Sequence, residues 1–220
     1  MTVLLYDVFP TKLEPPRRRP GVVVRERLLK QLDDVLTRPL GLVCAPAGSG
    51  KSTLLAQWLT ERQLAAAWLS LEPEDDSPLA FLRGLLAALA PHIEGLEGHA
   101  PAAALNPKAS NLTTLVGAWI ATPLACQPGG ELVLVLDDVH VLTHPEVLAA
   151  LGALIARAPA RLDVVLGSRT EPALPLARLR VRGQVTVIDR HQLRFGQEEA
   201  RAFYNTTMSL ELSEADVRVL

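Results

Sequence analysis

The sequence is poor in cysteine and in aromatic residues, and it carries no excess of positive charge. Its 220 residues include two cysteines, Cys44 and Cys126, and only 4% of the residues are aromatic. Two widely spaced cysteines exclude the disulfide framework of a small secreted domain. A net charge of −2 and a pI near 6.2 exclude a simple basic nucleic-acid-binding domain.

Long apolar segments are missing as well. The weakly polar stretch 147–156 has about half of the roughly 20 residues that a membrane span needs. Asp7 interrupts the short apolar run of residues 1–6, so the sequence predicts no signal peptide. With 49% hydrophobic residues, the composition predicts a globular protein with a substantial core, cytoplasmic and without membrane contact.

The most informative stretch is 45–53, with the sequence APAGSGKST. It follows the apolar stub 42–44 and precedes a helical pattern, which is the strand–loop–helix context of a phosphate-binding P-loop. Glycines let successive backbone N–H groups point at a polyphosphate, and the start of the helix adds its positive dipole end. The predicted nucleotide-binding residues here are Ala47, Gly48, Ser49, Gly50, Lys51, Ser52 and Thr53.

Within this loop, Lys51 is predicted to reach the β- and γ-phosphates, and the Ser52 hydroxyl to ligate Mg²⁺. The usual pattern begins with glycine, whereas Ala45 stands at the first position. A small residue still allows the chain to turn into the loop. The prediction is therefore a site for ATP or ADP with Mg²⁺.

A second signal is the apolar run 132–136, which ends in Asp137 and Asp138. Five apolar residues without alternation indicate a strand buried on both faces. An acidic residue after such a strand is a Walker B pattern, because ligands bind at the carboxyl edge of open parallel sheets. Asp137 is predicted to hold Mg²⁺, and Asp138 to orient or deprotonate the attacking water.

A third signal is Arg169, at the end of the next apolar strand. A guanidinium at this place would stabilise charge on the transferred phosphoryl group, so we assign it with Lys51 and Asp138 to catalysis. The alternative is an ordinary surface arginine.

The pattern of elements predicts an α/β P-loop NTPase with a mostly parallel, five-stranded sheet flanked by helices. Residues 1–20, with four prolines, are expected to form an extended arm. Residues 21–196 are expected to form the nucleotide-binding domain. Residues 197–220 are expected to begin a further helical or winged-helix module, whose last helix is cut off at Leu220.

Several phrases together resemble the MalT-like branch of the LuxR transcriptional regulators, which are STAND ATPases related to the AAA+ proteins. The resemblance runs over about residues 11–205, and the phrases that carry it are VRERLL, APAGSGKSTL, QWL, AWLSL, LDDVH, SR, LARLR and LRF. It implies a switch domain that binds ADP at rest and ATP when active, with slow hydrolysis resetting it. Val24 and Arg25 match the segment that packs on adenine in that family, and Arg169 matches its sensor position.

The resemblance also implies self-association, or association with full-length relatives. The sequence contains no match to the sensor and DNA-binding modules of the family, so no direct DNA binding is expected from it. Two other readings stay open: a stand-alone P-loop enzyme such as a small-molecule kinase, and an interaction protein that modulates full-length relatives.

Overall fold

A computed structural model describes residues 8–17, 21–93, 96, 112–113, 116 and 131–207 of the chain. Its centre is a five-stranded sheet in the order β2-β3-β4-β1-β5, in which every neighbouring pair is parallel. The strands are β1 Leu40–Cys44, β2 Ala66–Ser70, β3 Leu132–Asp137, β4 Leu162–Ser168 and β5 Val185–Asp189. This confirms the predicted fold class.

Six α-helices lie in the described part of the chain. They are α1 Glu26–Asp33, α2 Lys51–Glu61, α3 Pro78–Leu89, α4 Pro145–Arg157, α5 Leu176–Val181 and α6 Gln197–Ala202. None of the described helices is both long enough and apolar enough to cross a bilayer. A π-helical turn, Phe203–Thr207, follows α6.

The core lies on both faces of the sheet. One face packs against α1 and α2, where the fully buried Trp58 donates a 2.9 Å hydrogen bond to Asp33 and so ties the two helices together. The other face packs against α3 and α4, whose apolar residues join those of β3 and β4 in a second cluster. All six residues of β3 are buried, as its unbroken apolar run predicts.

The parallel register brings the carboxyl ends of the strands to one edge. Cys44 of β1 pairs with Ser168 of β4, and Ser70 of β2 pairs with Asp137 of β3. The P-loop, the Asp137–Asp138 pair and Arg169 follow these ends directly, so the topology gathers them along one edge of the sheet.

One expectation needs correction, and others concern segments without regular structure or residues outside the described ranges. The arm predicted over residues 1–20 contains a 3₁₀ turn, Pro10–Lys12, and Lys12 is buried in ion pairs with Asp75 and Glu72. The apolar run 22–24, expected to be a short extended piece, is not part of the sheet. The sequence of residues 111–121 predicts a helix, of which only residues 112–113 and 116 are described. Ser213 is a predicted N-cap of the last helix, and it lies outside the described residues.

Asp163 of β4 provides a test of the core by pH. Its side chain is buried, and its Oδ2 atom has no hydrogen-bond partner within the described ranges. Burial raises the pKa of Asp163 to about 6, and the charge of Glu131 adds to the rise. The folded protein therefore binds this proton more tightly than the unfolded chain, and stability falls as the pH rises from about 4 to about 6.

We expect Asp163→Asn to raise the free energy of unfolding by about 1–2 kcal/mol near pH 8, because no charge is then buried. Near pH 4 the gain should largely vanish, since most of the native carboxyl is already protonated there. Urea unfolding at both pH values measures the difference. An equal gain at the two pH values would show that the carboxylate charge is not the cause.

Candidate nucleotide-binding site

The P-loop takes a backbone conformation that depends on its glycines. Gly48 and Gly50 have φ angles of +77° and +81°, in the left-handed region that side chains rarely adopt. A Cβ atom at either position would have nothing within 4 Å, so the requirement for glycine is conformational and not a matter of space. Gly50 is the N-cap of α2, which leaves the first N–H groups of this helix facing the loop.

Lys51 is the first residue of α2, and only 6% of its surface is exposed. Its Nζ donates a 3.1 Å hydrogen bond to the carbonyl of Pro46, so the side chain folds back over the loop. The ammonium is therefore held against the backbone of the P-loop, and it is the cation available there to an anion.

Asp137 ends β3 and is 4% exposed. Burial raises its pKa above the usual value and the neighbouring Asp138 adds to the rise, while a hydrogen bond to Ser52 and the charge of Lys51 oppose it. A buried carboxylate beside a hydroxyl is an oxygen donor set of the kind that Mg²⁺ takes. The residues present thus fit a magnesium ion, which would also offset the cost of burying this charge.

Asp138 lies next to two basic side chains. Its Oδ1 atom is 3.6 Å from Nε of Arg169 and 3.5 Å from Nδ1 of His140. Asp138 has a left-handed backbone, with φ +58°, which turns the chain sharply after β3. The structure thus brings Asp138 and Arg169 together, although 31 positions separate them in the sequence.

Of the two residues predicted to pack on adenine, Val24 lines a separate groove, whereas Arg25 is not among the residues that line it. Val24 is half-exposed and lines a space of about 580 Å³ between residues 23–27 and residues 196–202. Gln57 of α2 donates a 3.3 Å hydrogen bond to the carbonyl of Val23, which ties this groove to the P-loop helix.

Arg25 itself is buried, and its guanidinium forms hydrogen bonds, an ion pair and a contact with an aromatic ring. Its Nη2 donates 2.8 Å hydrogen bonds to the carbonyls of Leu193 and Arg194, and it pairs with Glu199 at 3.2 Å. The guanidinium also lies 4.7 Å from the ring centre of Phe195. In this structure Arg25 therefore joins the segment before α1 to the start of α6.

The model of the AAA ATPase domain family matches residues 21–166 of the sequence. This is well over half of the chain, and the match includes the P-loop and the strand ending in Asp137. The chain belongs to the AAA ATPase domain family.

Curated relatives agree with this assignment. This AAA ATPase domain is 34% identical over 209 residues to the HTH-type transcriptional regulator MalT of Yersinia enterocolitica. It is 35% identical over 208 residues to MalT of Cronobacter sakazakii. The matches cover 95% and 94% of this chain but 23% of each regulator, so the chain spans about a quarter of the length of these relatives. The resemblance to the MalT-like regulators is confirmed over this part.

Solved structures support the fold. The AAA ATPase domain matches a Walker-type ATPase of Pyrococcus abyssi with a TM-score of 0.56 at 16% identity, over 94% of this chain and 65% of that one. It matches a Signal Transduction ATPase with Numerous Domains from Pyrococcus horikoshii with a TM-score of 0.55 at 18% identity, over 93% of this chain and 28% of the other. At these identities the comparison shows the shared fold alone.

Two contacts of the AAA ATPase domain were missed by sequence reasoning. One is the pairing of Arg25 with Glu199, for which a glutamate in the first turn of a helix was the only local signal. The other is Asp76, whose carboxylate accepts hydrogen bonds from the backbone N–H groups of Thr143 and His144 at 2.9 and 2.8 Å. This contact fixes the loop that follows Asp138 against the start of α3.

Gly167 offers a test of how closely Asp137 is held. A Cβ atom at Gly167 would overlap the Asp137 carboxylate and lie 3.5 Å from its Cα. We expect Gly167→Ala to lower the free energy of unfolding by about 1–3 kcal/mol, because the β3–β4 contact must open or the carboxylate must move. Chemical denaturation measures this.

Gly152→Ala is the matched control, since its nearest neighbours would lie at 4.0 Å, an ordinary contact distance. Gly152 is in α4, where alanine also favours the helix. Equal stability of the Gly167→Ala and wild-type proteins would show that the sheet yields at this point without cost.

Proposed function

We propose that this AAA ATPase domain binds ATP and ADP with Mg²⁺ and acts as the slow, ATP-hydrolysing switch of a MalT-type transcriptional regulator. The observation that carries the proposal is the P-loop, in which two glycines have left-handed backbones and the buried Lys51 is hydrogen-bonded to the loop carbonyl of Pro46. Membership of the AAA ATPase family and similarity to regulators called MalT support it.

In this proposal the backbone N–H groups of residues 47–53 surround the phosphates, and the start of α2 adds its dipole. Lys51 would exchange its hydrogen bond with Pro46 for contacts to the β- and γ-phosphates. Ser52 and Asp137 would hold Mg²⁺, which when bound neutralises charge on the phosphates.

The proposed catalytic groups are Lys51, Asp138 and Arg169. Asp138 would orient and deprotonate the attacking water, because a carboxylate is the acceptor available beside the phosphate site. Arg169 would stabilise the charge of the transferred group. The support for this assignment is that Nε of Arg169 lies 3.6 Å from Oδ1 of Asp138, so the two side chains could act on the same phosphoryl group.

The adenine is proposed to occupy the groove beside Val24. Its walls come from the segment before α1 and from the start of α6, so a bound base would touch both. Arg25 would hold the wall in place through Leu193, Arg194 and Glu199. Exchange of ADP for ATP would then directly affect the start of α6, which follows the last strand of the sheet in the chain.

The further proposal is that the ATP-bound form self-associates or joins full-length relatives. Its support is the similarity to multidomain regulators over 95% of this chain. The domain limits proposed at residues 20 and 196 rest on the sequence alone, namely the prolines before residue 21 and the helical pattern that begins at residue 197.

The test is calorimetric titration of the 220-residue protein with ATP and ADP, with and without Mg²⁺, followed by measurement of phosphate release. We expect both nucleotides to bind, ATP with Mg²⁺ dependence, and turnover slower than that of metabolic enzymes. Failure of folded protein to bind either nucleotide would overturn the proposal. Transfer of phosphate to a small metabolite would favour a kinase instead.

A further inference from the structure

A second concave surface lies between α4 and α5. This groove has a volume of about 390 Å³, and no residue of the candidate nucleotide site lines it. Its floor is apolar and comes from Ile155 of α4, from Leu176 and Leu179 of α5, and from Leu174 just before α5. We call it the α4–α5 groove.

The rim of the α4–α5 groove is basic. Arg178 and Arg182 line it and are exposed, and no acidic residue is among its lining residues. Within the described ranges, neither arginine has an ion-pair partner. Arg180, on the same helix, differs because it forms a two-pronged pair with Glu171 at 2.8 and 2.9 Å.

The outer side of α5 continues the same surface. Val181 is 89% exposed, a high value for a valine in a helix. It lies three residues after Arg178 and next to Arg182, so the three side chains share one side of the helix. The groove therefore combines an apolar floor with two arginines at its rim, and the exposed Val181, which does not line the groove, lies beside these arginines.

We propose that the α4–α5 groove binds an acidic polypeptide segment with an apolar face, supplied by a partner protein. Charge complementarity selects this partner, since two arginines without acidic neighbours attract carboxylates and pair with them well. The apolar floor selects a segment that also buries aliphatic or aromatic side chains. A helix with such residues at spacings of three and four would present both features together.

Nucleic acid fits this surface less well. The floor of the α4–α5 groove contains no aromatic side chain on which a base could stack, and the net charge of the chain is −2. The inference is independent of the proposed nucleotide switch, because it uses none of the residues assigned to it.

The experiment is selection of a random peptide library, displayed on phage, against the 220-residue protein. Three variants are run in parallel. The double variant Arg178→Glu with Arg182→Glu reverses the charge of the rim, and Ala156→Trp fills the mouth of the groove from the exposed side of α4. The control, Arg83→Glu, reverses the charge of an exposed arginine of α3 outside the groove. Selected peptides are then synthesised and titrated by fluorescence anisotropy.

We expect peptides rich in Glu or Asp and in large apolar residues, and binding weakened about tenfold or more by the rim reversal and by Ala156→Trp. Arg83→Glu should change affinity by less than about twofold. Selection of neutral or basic peptides would overturn the proposal. So would binding that survives both groove variants, or a single-stranded oligonucleotide that binds this groove more tightly than any selected peptide.

Discussion

Replacing Lys51 with alanine is expected to weaken ATP binding about 100-fold, by removing the buried cation of the P-loop. A hydrogen bond between charged groups contributes about 1.5–3 kcal/mol, and each 1.4 kcal/mol is a tenfold change in affinity. Lys51 is 6% exposed, so little water replaces its contribution. Titration of both proteins with Mg-ATP measures the change.

Lys30→Ala is the control for this prediction, since Lys30 is an exposed lysine of α1 and has no role in the loop. It should leave affinity unchanged. Unfolding curves show whether Lys51→Ala also loses stability with its hydrogen bond to Pro46. A folded Lys51→Ala protein with wild-type affinity would contradict the assignment of the P-loop as the phosphate site.

Asp138→Asn is expected to keep ATP bound while slowing hydrolysis about 100-fold, the usual scale for loss of a general base. Asparagine has nearly the same shape and accepts the left-handed backbone, with φ +58°, that Asp138 adopts. The loss is therefore of charge and basicity and not of local structure. Single-turnover hydrolysis with saturating protein separates this step from binding.

Comparison with Arg169→Ala tests whether Asp138 and Arg169 act together, because Nε of Arg169 lies 3.6 Å from Oδ1 of Asp138. If Asp138 and Arg169 act together on phosphoryl transfer, the effects of their substitutions should not add. The double variant should then hydrolyse ATP only slightly more slowly than the slower of the two single variants. Wild-type turnover in Asp138→Asn would remove Asp138 from the catalytic role and leave it as a turn residue.

The sequence predicted those parts of the fold that are determined by residues close together in the chain. The P-loop needs glycines at set positions before a helix, and Gly48 and Gly50 have the positive φ angles that this predicts. The strand β3 needs burial on both faces, and its apolar run predicts this without knowledge of its neighbours. Both signals lie within about ten residues of chain, which is why they are readable in one sequence.

Other features depend on contacts between distant segments. Arg25 pairs with Glu199 across 174 positions, and Lys12 pairs with Asp75 across 63, so neither pair leaves a pattern in the local sequence. The apolar run 22–24 forms no strand even though its composition favours one. A strand needs hydrogen-bonding neighbours, and in the described structure β5, and not this run, borders β1.

The position of β1 in the sheet has a consequence for synthesis on the ribosome. Among the strands of the described residues, β1 is made first, yet its neighbours are β4 and β5, which are made after the other three. Until residues 162–168 have left the exit tunnel, β1 has neither of its neighbouring strands to pair with. Until residues 185–189 follow, it can pair with β4 alone. Long-range pairing of this kind is slow and leaves apolar edges open meanwhile. A nascent chain halted before β4 should therefore be rich in protease-sensitive sites and recruit holdase chaperones at its amino-terminal third.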